Sequence, residues 1–73
     1  MEEYTLVGVD GNAFFVMGYV VKSMRRERFS SDEIKSYKDK SMSGDYGNLL
    51  QVSCEYLDKC NERYEARSSE MEF

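Results

Sequence analysis

Seventy-three residues with a net charge of −4 allow one small domain and no overall field that would draw in nucleic acid or an anionic membrane. Two cysteines without a histidine argue against a dedicated four-ligand zinc site and leave no side chain that readily exchanges protons near neutrality. A chain this short buries only roughly 60% of its unfolded surface, so it needs a staple, very good helix packing or a second copy of itself.

The first element is Tyr4-Thr5-Leu6-Val7-Gly8-Val9, the only run rich in β-branched and aromatic residues. It reads as a β-strand, with Tyr4, Leu6 and Gly8 on one face and Thr5, Val7 and Val9 on the other. No second strand follows it, and a lone strand leaves N–H and C=O groups without partners. The expected fold is therefore α+β: one N-terminal strand followed by three helices, with strand pairing between two subunits.

Asp10-Gly11-Asn12 ends the strand, and either Asp10 or Asn12 can cap the next helix. That helix is expected over Ala13 to Arg28, with Ala13, Phe14, Met17, Val20, Val21 and Met24 as its apolar stripe. Phe15 and Tyr19 lie roughly opposite, so the helix is apolar on two sides and should be covered from two sides. Gly18, at mid-helix, marks either simple tolerance or a close approach by another backbone. Ser30-Ser31-Asp32-Glu33 carries the capping-box spacing that starts a second helix, whose thin apolar edge is Ile34, Tyr37, Ser41 and Met42. Gly44 is expected as a left-handed stop and Asp45 as the next cap. The third helix runs from Tyr46 to about Glu65 on a stripe of Tyr46, Leu49, Leu50, Ser53, Tyr56, Leu57, Cys60 and Tyr64. Residues 1–65 form the domain, and 66–73, where the period is lost, read as a frayed or disordered tail.

Cys54 and Cys60 stand about 9 Å apart along one helix and about 120° apart around it, beyond disulfide reach. Both read as reduced, buried or half-buried structural thiols, which favours a cytoplasmic location. The Met-Glu-Glu start shows no secretory signal, and the longest apolar-rich stretch, Ala13 to Val21, is far short of the roughly 20 residues of a membrane span.

Candidate chemistry is thin. The Gly8–Asn12 turn lacks the Lys-Ser/Thr ending of a phosphate loop, and Asp10 would repel a phosphate. The carboxylate pairs Asp32-Glu33 and Glu70 with Glu72 sit at a helix start and in the tail, not in a shielded cleft. No catalytic, metal or cofactor residues are assigned. The expectation is a non-catalytic, self-associating adaptor, a homodimer joined through Tyr4, Leu6, Val7, Val9, Phe15 and Tyr19, with room for an unidentified protein partner. The alternative is a nucleic-acid-associated regulator using Lys22, Arg25, Arg26 and Arg28, with Phe15 and Tyr19 upstream for stacking. Helix-dipole compensation explains the same cations without a ligand, and the acidic balance elsewhere weighs against nucleic acid.

Asp10-Gly11-Asn12-Ala13-Phe14 and Met42-Ser43-Gly44-Asp45-Tyr46, followed by Leu49-Leu50, resemble a pattern in a group of short uncharacterised bacterial and bacteriophage proteins. The resemblance covers roughly Val7 to Asn61. It implies an intracellular origin in a bacterium or its phage, and carries no activity or site.

Overall fold

Helix caps divide the chain. In the computed structural model, which describes residues 4–70 (side chains to Ala66), α1 spans Ala13–Arg26, α2 Ser31–Ser41 and α3 Tyr46–Glu70. Asn12 caps α1, its Oδ1 accepting from Phe14 N–H at 2.8 Å, while Asp10 accepts from Asn12 N–H and shapes the turn before it. The capping box of α2 is complete: Ser30 Oγ accepts from Glu33 N–H at 3.1 Å, and Glu33 Oε1 from Ser30 N–H at 2.9 Å. Those bonds hold the Glu33 carboxyl below its usual range. Asp45 Oδ1 caps α3 through Asn48 N–H at 2.9 Å.

The expected α+β fold is overturned: among the described residues there are three helices and no strand, so the chain is all-α. Residues 4–12 form an irregular strap instead. A turn closed by Val9 N–H on Leu6 C=O, with Gly8 at φ 86°, breaks the extended run. Main-chain groups of Tyr4 and Thr5 that seemed to require a neighbouring strand are met by side chains of the same molecule. Asn61 accepts from Tyr4 N–H at 2.7 Å and donates to Tyr4 C=O at 3.0 Å, as a facing strand would. Tyr19 Oη accepts from Thr5 N–H at 3.0 Å. Strand pairing between subunits is withdrawn with the strand.

Short connections, 27–30 and 42–45, fold the helices back on one another. The core is Val16, Val20 and Met24 of α1, Phe29, Ile34 and Tyr37, and Leu49, Val52, Tyr56, Leu57 and Cys60 of α3. Relative to the expected stripe, α1 is turned by roughly 60° on a helical wheel. Its inward line is Val16, Val20, Ser23, Met24 and Glu27, while Phe14 faces outward and Ala13, at the helix start, is exposed. Two polar residues disguised that line. Ser23 Oγ donates back to Tyr19 C=O at 2.8 Å, and the buried Glu27 carboxylate accepts the Tyr4 hydroxyl.

The end of α1 is a Schellman motif: Phe29 N–H reaches Met24 C=O and Arg28 N–H reaches Arg25 C=O. Arg28 occupies the left-handed position, φ 65°, that glycine normally takes. Gly44 has no positive φ; it is needed because a Cβ there would stand 2.9 Å from Asn48 Cβ. Beyond Glu65, α3 stays helical to Glu70, so the span expected to fray is helical over 66–70. The Ala-Arg-Ser-Ser-Glu continuation needs no apolar stripe once a long helix has been nucleated below it. Residues 71–73 of the expected tail lie outside the described residues.

Candidate interaction surface

The six residues expected at a strand-mediated interface separate in the structure. Tyr4, Leu6 and Tyr19 are half-buried and pack against the chain's own core. Tyr4 is tied to Asn61 and Glu27, with its ring edge-on to Tyr64 at 6.2 Å, and Val9 is half-buried in the turn. Val7 and Phe15 alone of the six are open, at 85% and 60% exposure.

Phe14, assigned to the core by periodicity, is 84% exposed and joins Phe15 on the outer face of α1. No sequence signal marks it: on a wheel of about 100° per residue, Gly18 stands opposite the centre of the Val16–Glu27 line, but that line is itself set by packing. A Cβ built on Gly18 meets nothing within 4 Å. From its N-terminal end to its C-terminal end this face presents the neighbours Phe14 and Phe15, then Gly18, Lys22 and the neighbours Arg25 and Arg26, with three or four residues between successive steps.

All four residues of the expected basic patch, Lys22, Arg25, Arg26 and Arg28, are exposed, and no carboxylate of the described residues forms an ion pair with them. Three other cations are engaged. Arg63 lies 3.6 Å from Glu33 and stacks 3.8 Å over the Phe29 ring, and Lys40 and Lys59 sit over Tyr56. The charge is also segregated. Residues 22–28 hold four cations against one carboxylate, the buried Glu27, leaving six cations against thirteen carboxylates in the rest of the chain.

A second apolar area lies at the end where α1 and α3 begin. The Tyr46 hydroxyl donates to Gly11 C=O, joining the start of α3 to the turn before α1. Tyr46 and Met42 are 45% and 64% exposed there.

The two thiols differ. Cys54 is exposed, against the expectation of a buried or half-buried thiol, and Cys60 is fully buried; both are free. Burial, with the Glu27 charge as the second cause and Arg63 opposing, pushes the Cys60 thiol up to about 11. A thiol so protonated is a poor nucleophile. Burial likewise raises the Tyr37 hydroxyl, although its bond to Ser53 Oγ at 2.7 Å works the other way. Between α2 and α3 a shallow groove is lined by Phe29, Asp32, Glu33, Lys40, Tyr56 and Lys59, whose charges are of both signs.

Among the described residues no cluster of His, Cys, Asp and Glu has metal-binding geometry, and no helix is long and apolar enough to cross a membrane. Comparison with protein-family models, with curated proteins and with solved structures finds no match to this chain.

Proposed function

We propose that this protein works by binding rather than catalysis, as a small interaction module that associates with itself through the outer face of α1. The observation that carries the proposal is the exposure of Phe14 and Phe15 on a face of the same helix whose opposite side is the core. In a folded chain of this size, paired outward phenylalanines are costly to leave wet and are typical anchors of protein contacts. Self-association in this form owes nothing to a strand. Two free thiols support a cytoplasmic setting. Sedimentation equilibrium from about 5 to 500 μM tests the proposal, since transient interfaces of modest area associate in that range. A rise in mass with concentration is expected, and Phe14→Ser with Phe15→Ser should suppress it. A strictly monomeric chain at the highest concentration refutes it.

A second reading is favoured by Arg28. Its left-handed backbone costs roughly 1 kcal/mol where glycine would be free of strain, and the residue adds a fourth exposed cation to the patch. In this reading the C-terminal end of α1 docks an acidic partner, nucleic acid included. Retardation of single- and double-stranded probes at low salt, lost on substitution of Arg25, Arg26 and Arg28, would support it. Retardation that ignores those substitutions would dispose of it.

A further inference from the structure

From the order of residues along α1 we infer a specific geometry: two copies pack α1 against α1 antiparallel, with the two-fold axis passing at Gly18. This rests on the self-association proposed above and adds the partner, the register and the contacts.

Three observations converge on that register. Gly18 is exposed at the middle of the outer face with open space where a Cβ would stand, so two helix backbones can approach closely there. The aromatic and cationic residues flank it at matched distances: Phe14 lies four residues before Gly18 and Lys22 four residues after. With about 1.5 Å of rise per residue, an antiparallel pair centred on Gly18 brings Phe14 of one copy level with the second copy's Lys22, and Phe15 within a residue of it. The same register brings the exposed Asp10, in the turn leading into α1, towards the level of the second copy's Arg26.

Charge decides the direction. A parallel pair would set Lys22, Arg25 and Arg26 against their own equivalents, and like charges face to face are repulsive. The antiparallel pair sends the two cationic ends to opposite sides and lays each over the other copy's phenylalanines. Lysine and arginine stems then cover the rings, and their charges meet ring faces. Opposed helix dipoles favour the same direction. The arrangement is isologous, so it closes as a dimer and leaves no free end for a filament. Four phenylalanines supply about a third of the area a standard interface buries, so the dimer is transient.

The test uses the full chain. Gly18→Arg places a long charged side chain on the axis at a position that touches nothing within the monomer, and arginine is the better helix former, so the fold is retained. Sedimentation equilibrium should show dimerisation weakened at least tenfold, with an unchanged circular dichroism spectrum. In a second arm, Gly18→Cys is placed on a Cys54→Ser background, which removes the exposed native thiol. Mild oxidation should then give a disulfide dimer through position 18, while a matched Lys22→Cys chain should cross-link poorly. A wild-type dimer that survives Gly18→Arg and does not cross-link at position 18 overturns this geometry while leaving self-association standing. A wild-type monomer throughout overturns both.

Discussion

Replacing Asn61 with alanine removes the group that takes the place of a second strand. The substitution deletes the 2.7 Å bond from Tyr4 N–H and the 3.0 Å bond to Tyr4 C=O together. At a net 0.5–1.5 kcal/mol each, the two bonds bound the loss at about 1–3 kcal/mol. Both residues are half-buried, so water can reach the freed groups once the strap lifts, and the low end of that range, about 1–1.5 kcal/mol, is expected. The strap should open locally rather than carry the helices with it, because Tyr4 and Leu6 are only partly buried against the core. Amide exchange followed by NMR should therefore show protection at Tyr4 and Thr5 falling about five- to tenfold, with the helix interiors nearly unchanged. Tyr19→Phe, which removes only the acceptor for Thr5 N–H, should expose Thr5 more than Tyr4. If the Tyr4 amide keeps its protection in Asn61→Ala, the strap is held by something else and the reasoning fails.

Tyr37→Phe should cost about 1–2 kcal/mol in urea unfolding, because Tyr37 and Ser53 are both fully buried and bond each other; Ser53→Ala added to it should cost less than it does in the wild type. Gly18→Ala should stabilise the dilute chain by about 1 kcal/mol, read as a higher urea midpoint, since the new methyl group meets nothing. Arg28→Gly should add about 0.5–1 kcal/mol by relieving the left-handed backbone while removing one cation, so stability and partner binding would move in opposite directions. Cys60 holds its proton more tightly folded, at about 11, than at the ordinary 9.0, so the folded state binds more protons between those values. Stability from this group is complete below about pH 9 and declines as pH rises towards 11, by about 2–3 kcal/mol in all, and Cys60→Ala should flatten that decline in urea midpoints.

The parts of the fold legible in the sequence are those set by neighbours along the chain. Ser30 with Glu33, Asn12 and Asp45 sit where short-range hydrogen bonding places helix starts, and those bonds need no tertiary context. The α3 stripe is nearly right because Leu49, Tyr56, Leu57 and Cys60 are apolar enough to mark their own face; Val52 was missed beside them. Helix α1 was misread because Ser23 and Glu27 face inward, each with a hydrogen-bonding partner, while Phe14 faces out. Hydrophobicity alone turns such a helix the wrong way. Of the expected interface residues, Val7 and Phe15 are open, and the cations are all exposed, as charge on an outer helix face should be.

The strap was legible as a problem but not as a solution. Main-chain groups near Tyr4 need partners, and the sequence offers no second run rich in β-branched and aromatic residues to provide them. Which partner meets that need is a tertiary fact: Asn61 is fifty-seven residues away and reaches Tyr4 only because α3 packs beside the strap. Sequence by itself therefore determined where the helices begin, through side-chain bonds between residues two or three apart. Only the packed molecule decided which side of α1 is inside and what holds the strap at Tyr4 and Thr5, because both depend on residues remote in the chain.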